Sequence, residues 1–381
     1  MDLIRMHDGE LYEGDARFRC VLLNAFYLHD ELAQGREASA REVLDACVAM
    51  GVRVVRAWAF NDGAHPSAIQ PRAGELDERT LRALDRVLQM AHERGLRLIL
   101  PLADFWPSYG GVPQWLAWHG FAPTETARFF REPALREHYA AHVGRLLERV
   151  SSLDGTRYGD HPAVLAWEPM NEPRGTGLDG AGAELADWLG FAARAIRGHA
   201  RQLVAAGEEG FDVSTDDAAY WQRVGGAGLF APETGSSFRR NLQAVDLATC
   251  HFYPEKYGVK SGLEEEAGVR WIQSHAAQAR AAGKPLLVEE LGLSNVALGD
   301  RKPRPLAERR RAYATWLQCG AAAGVAGIGP WGFAHHDRPD GWDDYTFYRH
   351  DPPAPIDRYA DLIEAAARSL ACALAAPKLT T

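Results

Sequence analysis

Carboxylate side chains follow two apolar segments of the sequence, where each segment would end as a buried strand. One segment reads Leu-Ala-Trp-Glu168-Pro-Met-Asn171-Glu172, and the other reads Leu-Leu-Val-Glu289-Glu290. Hydrolysis of a glycosidic bond requires a carboxyl group on each side of it, because one protonates the leaving oxygen while the other attacks or activates water. The alternative for the first segment is a helix N-cap followed by solvent-exposed acids, and that segment alone leaves both open.

Two acids that are distant in sequence can act together only if the fold brings them close. The fold can be predicted from the chain, because short apolar runs alternate with segments of helical periodicity. Several runs are almost uniformly apolar, as parallel strands covered on both faces should be. The candidate strands are Cys20–Ala25, Val52–Ala59, Leu96–Ala103, Val164–Glu168, Leu203–Ala206, Ala244–His251, Pro285–Glu290 and Val325–Trp331. The candidate helices are Ser39–Met50, Asp77–Arg94, Pro133–Val150, Ala183–Ala200, Leu263–Ala282, Leu306–Ala323 and Ile356–Leu374. The unit after the fifth strand is weak, since residues 207–241 contain no clear amphipathic helix.

Eight repeats of a strand and a helix predict an α/β fold, a (β/α)8 TIM barrel with long βα loops. We expect a single catalytic domain over residues 1–381. Catalytic side chains of this fold lie at the carboxyl ends of the strands. The acids after the fourth and seventh candidate strands would therefore face each other across the mouth of the barrel.

The charge balance of the chain excludes some classes of partner. The 381 residues include 42 Lys and Arg against 51 Asp and Glu, which gives a net charge of −9. This balance argues against nonspecific binding to nucleic acid, which rests on clustered basic residues, and against an anionic membrane surface. The uncharged segment Cys319–Ala334 is broken by several Gly and by Pro330, which argues against a helix that spans a bilayer. We therefore expect no nucleic-acid and no membrane partner, and the oligomeric state stays open.

The cysteines and the N-terminal residues bear on the cellular compartment. The five cysteines are widely spaced and form no Cys-x-x-Cys pair or zinc pattern, so they indicate free thiols in a reducing compartment. The first ten residues carry charges every few positions and contain no apolar segment typical of a signal peptide. We expect a cytoplasmic protein, although a secreted protein whose signal peptide had been removed would have the same sequence.

Several segments together resemble a known family. The segment that ends in Asn171-Glu172-Pro173 resembles the signature of glycoside hydrolase family 5, in clan A, where Asn-Glu-Pro closes the fourth strand. Other segments resemble the β-mannanase branch of that family, in order, over roughly residues 18–350: Val55–Gly63, Leu102–Gly111, Glu209–Phe211, Asp246–Pro254, and Trp271 with His275 and Lys284-Pro285. The resemblance implies a retaining endo-β-1,4-mannanase that acts on β-mannan or β-linked oligosaccharides without a cofactor or a metal ion.

The same resemblance implies the roles of the acids. Glu172 would be the general acid/base, Glu290 the nucleophile, and Arg56 the cation that keeps the nucleophile ionised. A general acid needs a raised pKa, which burial and the neighbouring carboxylate would supply. Because successive strand residues point to opposite faces, we expect one of Glu289 and Glu290 to point away from the site. The parity of the second strand leaves Arg53 as a competitor of Arg56, and only the resemblance favours Arg56.

The remaining site residues follow from the same resemblance. Asn171 would hydrogen-bond the 2-hydroxyl of the sugar, His251 and Tyr253 would lie beside the two acids, and Trp331 would form the floor of the −1 subsite. The alternative for His251 is a core histidine. Four tryptophans could all belong to the core, but we expect one or two to line the cleft, with Trp106 the leading candidate: Trp58, Trp106, Trp115 and Trp118.

Three positions depart from the family pattern. Asp104 stands where mannanases often have Asn, Tyr257 where they often have Trp, and Pro169 where Leu is usual. These positions affect the sugar subsites, so an intracellular exo-acting β-mannosidase or a β-1,4-glucanase on the same barrel stays an alternative. A non-catalytic carbohydrate-binding barrel is less favoured, because both expected catalytic acids are present.

Overall fold

The central element of the structure is a closed barrel of parallel strands. The computed structural model describes residues 1–212, 217–226, 228, 234–296, 302–335, 344–348 and 359–375. In chain order the barrel strands are β1 (Cys20–Asn24), β2 (Val54–Arg56), β3 (Arg97–Pro101), β4 (Val164–Glu168), β5 (Leu203–Val204), β6 (Ala248–Phe252), β7 (Leu286–Leu291) and β8 (Gly327–Pro330). They pair in the order β5-β4-β3-β2-β1-β8-β7-β6. A parallel bridge between Ala205 and Leu247 closes the ring. The predicted (β/α)8 barrel is confirmed.

Long helices follow most of the strands and cover the outer face of the barrel. Their bounds are Glu37–Ala49, Glu78–Glu93, Pro133–Leu147, Ala183–Arg197, Glu264–Ala281, Leu306–Ala323 and Ala360–Ala375. The helix that starts at Glu78 shows the local rules: the Asp77 carboxylate caps its N-terminus by accepting from the backbone N–H of Thr80, and Leu84 and Leu88 on one face are buried. Shorter helices span Leu28–Ala33, Gly111–Trp118, Ala127–Arg131, Ala218–Val224 and Phe238–Asn241, the last two in the weak fifth unit.

A small N-terminal sheet, which we did not predict, covers the amino end of the barrel. Its three antiparallel strands are Ile4–His7, Glu10–Glu13 and Ala16–Phe18. Three apolar side chains of this sheet are buried in one cluster with residues from the barrel interior, namely Ile4, Leu11 and Phe18 with Cys20, Leu22, Val54, Ile99, Leu165, Ala166, Ala205, Leu247, Leu287 and Ala326. Among the described residues, the amino end of the barrel is therefore closed by apolar packing. The cleft described below opens at the carboxyl end.

The barrel interior changes from apolar to charged toward that carboxyl end. The upper interior positions carry Asn24, Arg56, Glu168, His251 and Glu289, and all five side chains are fully buried. Buried charged groups are stable only when they are paired or hydrogen-bonded, so their concentration at one end of the barrel marks a site rather than a core.

Strand β7 contains a bulge, which the simple alternation of its side chains does not predict. Val288 pairs with Cys250 of β6 and Glu290 pairs with His251, so Glu289 is the extra residue on the bulged strand. Glu289 and Glu290 are both buried. The carboxylate of each lies within ion-pair distance of both the His251 imidazole and the Arg56 guanidinium. The expectation that one of the two acids points away is therefore wrong, because the bulge breaks the alternation on which it rests.

The thiols and the helices add two observations. Cys20, Cys47, Cys250 and Cys319 are free thiols, and the Cys372 side chain lies outside the described part of the chain. None of the described helices combines the length and the apolar character needed to cross a membrane. The expectation of a single domain over the whole chain stays a prediction.

Candidate active site

The carboxyl ends of the barrel strands surround a cleft of about 530 Å³, a size typical of small-molecule sites. The described residues that line it are Phe26, Trp58, Asp104, Trp106, Ser108, Tyr109, Asn171, Glu172, Arg174, Glu209, Tyr253, Lys256, Glu290 and Trp331. Seven of the nine residues expected at the site line this cleft. The other two, Arg56 and His251, are fully buried beneath it and contact the acids from below.

Glu172 is held in the cleft by an unusual backbone conformation. Its φ of 49° lies in the left-handed region, which a residue other than glycine rarely adopts. Backbone hydrogen bonds to the two neighbouring strand ends fix this conformation. The N–H of Glu172 donates to the carbonyl of Gly207, after β5, at 2.7 Å, and the N–H of Asn171 donates to the carbonyl of Ala103, after β3, at 2.8 Å. Strained residues of this kind cluster at functional sites, so the backbone supports a functional role for Glu172.

The Glu172 carboxylate is bound on both oxygens. Trp106 donates its indole N–H to Oε2 at 2.5 Å, and Nδ1 of His251 lies 2.7 Å from Oε1. Burial raises the pKa of Glu172, but the hydrogen bond and charge of His251, with the charge of Arg174, outweigh it and lower this pKa to about 2. The expected raised pKa of the acid is therefore wrong for the substrate-free site, where the proton resides on His251.

Glu290 lies opposite Glu172 and is also bound on both oxygens. Arg56 donates to Oε1 at 2.6 Å, and the Tyr253 hydroxyl donates to Oε2. A carboxylate oxygen of Glu172 lies within 4.8 Å of one of Glu290. This separation matches carboxyl pairs that attack a sugar directly, which are about 5–5.5 Å apart, and not pairs about 6.5–9.5 Å apart that leave room for a water.

Arg56 is the cation at the centre of the site. Its guanidinium binds Glu168 at 2.7 and 3.0 Å, Glu290 at 2.6 Å and the side-chain oxygen of Asn171 at 2.8 Å, and it is fully buried. The planar group with five donors suits this fixed arrangement. The competitor Arg53 binds Glu13 of the N-terminal sheet at 2.6 Å, so it serves the opposite end of the barrel.

Asp104 fixes the other side of the Asn171 amide. Asn171 donates to Asp104 Oδ1 at 2.9 Å, and Ser108 donates to Asp104 Oδ2 at 3.1 Å. Burial raises the pKa of Asp104 to about 8, although the hydrogen bond from Asn171 works against it. At neutral pH the Asp104 carboxyl is therefore protonated and uncharged. In this state it resembles the asparagine that is frequent at this position in the family.

Aromatic rings form one wall of the cleft. Phe26 and Trp331 stack with ring centroids 5.4 Å apart and planes 9° apart, and Trp58 lies 6.0 Å from Trp331. Flat apolar faces of this kind can pack against the apolar faces of a sugar ring. Trp115 belongs to the core instead, because it is fully buried and its indole N–H donates to Asp62 at 2.7 Å. Trp118 does not line the cleft either.

Four acidic or basic residues line the cleft in addition to the expected site residues, namely Asp104, Arg174, Glu209 and Lys256. Arg174 binds Glu209 at 2.7 Å, and its guanidinium lies 4.7 Å from the ring centroid of Trp106. Burial and the charge of Glu172 raise the pKa of Glu209 to about 7. The sequence carried a signal for Arg174 and Glu209, since Arg174 directly follows Asn-Glu-Pro and Glu209 opens the family-like segment after β5. The Tyr257 hydroxyl donates to Glu209 at 3.1 Å.

Three of these side chains could in principle hold a metal ion. One atom each of Glu172, His251 and Glu290 lies within 4.8 Å of the other two. The oxygens already accept hydrogen bonds from Trp106, Tyr253 and the Arg56 cation, which compete with an ion for the same lone pairs. The donor set thus fits an acid pair better than a metal centre, and the expectation of no metal stays a prediction.

The chain is similar to known proteins in sequence and structure. A family model described as GH family 5 beta-mannosidase-like matches residues 22–362. The mannan endo-1,4-beta-mannosidase 2 of Oryza sativa subsp. japonica is 35% identical over 287 residues, which are 72% of this chain and 64% of that relative. The mannan endo-1,4-beta-mannosidase 1 of Solanum lycopersicum is 29% identical over 91% of this chain and 88% of its own length. The chain thus spans slightly less than two thirds of the rice relative.

Solved structures agree with this relationship. The endo-1,4-beta-D-mannanase from Thermotoga petrophila superposes with a TM-score of 0.80 and 26% identity over 92% of this chain and 99% of that one. A family 5 mannosidase from Rhizomucor miehei also reaches a TM-score of 0.80, over 98% of this chain and 99% of that one. At 17% identity this second likeness shows a shared fold only.

Proposed function

The chain belongs to the GH family 5 beta-mannosidase-like family, and from this membership we propose that it is a retaining endo-acting glycoside hydrolase that cleaves β-1,4-mannosidic bonds. The observation that carries the proposal is the pair of Glu172 and Glu290, whose carboxylate oxygens approach within 4.8 Å in one cleft. A pair at this separation can attack the sugar directly, which is the retaining arrangement.

The first chemical step would form a covalent intermediate. An oxygen of Glu290 attacks the anomeric carbon while Glu172 gives a proton to the glycosidic oxygen, and the bond between that oxygen and the carbon breaks. Glu172 obtains this proton from His251 across the 2.7 Å contact. Arg56, at 2.6 Å from Glu290, favours the ionised form of the attacking carboxylate.

The second step would release the sugar. Glu172, now a carboxylate, takes a proton from a water molecule whose oxygen attacks the anomeric carbon, and the ester bond to Glu290 breaks. Because Glu290 loses its charge when it is esterified, the proton affinity of Glu172 falls in the intermediate, which suits its change from acid to base. Two successive inversions at one carbon retain its configuration.

Several residues would bind the sugar. Asn171 is held by Arg56 and Asp104, so its amide is oriented before substrate arrives. This fixed amide supports its expected contact with the sugar 2-hydroxyl. Trp331 and Trp58 present their rings to the cleft and would pack against the sugar at the −1 subsite. Fixed positions of this kind save the entropy that a flexible site would lose on binding.

The choice of mannan rests on the relatives. The rice, tomato and Thermotoga proteins are named as enzymes that cleave mannan internally, and they match across most of this chain. The proposed substrate is therefore β-mannan or a β-1,4-linked mannooligosaccharide. We also keep the cytoplasmic location expected from the sequence as a proposal, which fractionation of cells that express the complete gene would test.

Product analysis on two hexasaccharides tests the function. We expect mannohexaose to be cut into several internal products and cellohexaose to be cut far more slowly. Release of mannose alone would indicate an exo-acting mannosidase, and preference for cellohexaose would indicate a glucanase. Proton NMR of the first product should show the β-anomer, and activity should persist after dialysis against EDTA. A Glu172→Gln, Glu290→Gln double variant controls for contaminating hydrolases.

A further inference from the structure

Glu289 is a buried carboxyl group that the reaction above does not use. It lies in the bulge of β7, directly before Glu290, and is fully buried. Within the described part of the chain, neither of its carboxyl oxygens has a hydrogen-bond partner. Burial of an ionisable group without hydrogen bonds lowers the stability of the folded protein, and a hydrophobic residue of the same size would lower it less. Its presence therefore calls for a role.

His251 lies between Glu289 and the acid/base. Its Nε2 is 3.6 Å from Oε2 of Glu289, and its Nδ1 is 2.7 Å from Oε1 of Glu172. The first distance is too long for a direct hydrogen bond but short enough for a strong interaction between charges. The imidazole thus has a carboxyl group at each ring nitrogen, one inside the barrel and one in the cleft.

We propose that Glu289 is a positioning residue for the catalytic proton: through His251 it sets the pH at which the acid/base Glu172 can no longer be supplied with a proton. The proposal rests on the proposed function, because it concerns the general acid of that reaction. Glu289 touches no substrate. It acts on the imidazole, and the imidazole exchanges one proton with Glu172.

The ionisation of the cluster supports this relay. Burial, reinforced by the charge of Glu168, raises the pKa of Glu289 to about 8. Burial lowers the pKa of His251, but the surrounding carboxylates outweigh it and raise this pKa to about 10. The other charged or titratable groups that face the pair come from several strand ends and the strands beside them: Arg56, Glu168, Glu172, Glu208, Glu209, Glu290, Cys20 and Cys250.

The sign of the effect follows from the charges. Above the pKa of Glu289, its negative charge holds the shared proton on the His251–Glu172 pair and so extends activity to higher pH. Replacing Glu289 by glutamine removes this charge, so the pair should lose its proton at a lower pH. An opposite charge within about 4–6 Å shifts a pKa by about 1–3 units, which sets the size of the expected change.

The experiment measures kcat/KM against pH on a mannooligosaccharide for the unmodified enzyme and Glu289→Gln. We expect the alkaline limb of the profile to move down by about 1 unit or more in the variant. An unmoved limb in a folded variant overturns the proposal while leaving the hydrolase function intact. Absence of hydrolysis by the unmodified enzyme instead overturns the proposed function. In a variant that already carries His251→Asn, adding Glu289→Gln should not move the alkaline limb further, because the imidazole through which Glu289 acts is absent.

Two further measurements separate a relay from a structural role. Asp62→Asn is the matched control, because burial also raises the pKa of Asp62, to about 7, but its carboxyl binds Trp115 and Gln70 rather than His251. This control should not move the limb. If Glu289→Gln does not fold, nitrogen-15 NMR of histidine-labelled unmodified protein decides: His251 should keep both ring protons past neutral pH. Loss of one of them below pH 7 would contradict the proposal.

Discussion

The side-chain amide of Asn24, at the end of β1, donates a hydrogen bond of 2.7 Å to the backbone carbonyl of Glu289 in the bulge of β7. β1 and β7 are not neighbours in the barrel, because β8 lies between them. The contact therefore crosses the interior and ties the bulge to the far side of β8. The bulge in turn places Glu290 level with His251. A neutral residue outside the cleft thus fixes the position of the expected nucleophile.

Asn24→Ala should lower both stability and turnover. It leaves the buried carbonyl of Glu289 without this donor, which costs about 1–3 kcal/mol of unfolding free energy. A loosened bulge should also lower kcat more than it raises KM, since it misplaces Glu290 rather than the sugar. The control is Val21→Ala on the outer face of the same strand. It should lower stability through lost packing without a matching loss of kcat in the folded enzyme.

Removing each acid should give a distinguishable result with an activated aryl mannoside. Glu172→Ala retains the nucleophile, so the glycosyl-enzyme should form and then accumulate, with turnover lowered by about 10²–10⁴-fold. Azide needs no general base and should restore turnover as the β-glycosyl azide. Glu290→Ala should be rescued as the α-azide, because azide attacks from the vacated face. Products in the reverse order would show that the two roles are exchanged.

Asp104→Asn and Asp104→Ala should differ strongly. Asparagine can accept from Asn171 with its oxygen. Its nitrogen would donate to the Ser108 hydroxyl, which reverses the hydrogen bond that Ser108 gives to Asp104 Oδ2, and a protonated carboxyl at neutral pH can do the same. We expect a change in kcat/KM of a few-fold at most. Alanine leaves the Asn171 amide without its acceptor, and this should lower transition-state binding by about 1–3 kcal/mol. Equal losses in the two variants would mean that the charge of Asp104 matters, not its hydrogen bonds.

Thermal stability should fall between pH 6.5 and pH 9. Five buried carboxyls have pKa values raised to about 7 or 8, from unfolded values near about 4: Asp62, Asp104, Glu208, Glu209 and Glu289. Up to those raised values the folded chain holds more protons than the unfolded chain, so unfolding free energy decreases as pH rises. His251, with its pKa raised to about 10, acts in the same direction.

Calorimetric melting curves in one mixed buffer would check this decrease. Buried histidines act in the opposite direction below pH 6.5. Burial lowers the pKa of His29 to about 4 and that of His142 to about 3. The unfolded chain therefore binds more protons at these residues, and unfolding free energy decreases as pH falls. The stability maximum should therefore lie on the acid side of neutrality. Asp62→Asn removes one titrating group and should reduce the loss between pH 6.5 and 9. A melting temperature that rises over that interval would contradict the assignment.

The barrel could be predicted because its strands are defined by local composition. Runs of buried apolar residues separated by amphipathic helices need no knowledge of distant contacts. The N-terminal sheet was missed although its turns are marked in the sequence. Asp8-Gly9 and Gly14-Asp15 separate its strands, and Asp8 and Gly9 adopt φ values of 48° and 72°, as a tight hairpin turn requires. The frequent charges in this segment concealed the alternating pattern.

The chemistry of the site was harder to predict than its position. Strand ends located Glu172 and Glu290, but the bulge at Glu289 depends on Asn24, which is 265 residues away. The lowered pKa of Glu172 depends in the same way on His251, which is 79 residues away. A rule for one strand or one residue describes neither effect, since each arises only when the closed barrel brings separate strand ends together.

The ring of strands is joined unevenly. β5 has two residues, and its join with β6 consists of one bridge, between Ala205 and Leu247, and four backbone hydrogen bonds around it. In contrast, β6 and β7 form five residue pairs. Local opening starts where the fewest bonds must break. The join between β5 and β6, which lies behind Glu209, is therefore the weakly bonded part of the ring. We expect the backbone amide protons of β5 and of the adjoining part of β6 to exchange with solvent sooner than those of β7. We therefore expect the side of the cleft that contains Arg174 and Glu209 to move more readily when substrate binds, while the side that contains Glu290 keeps its position.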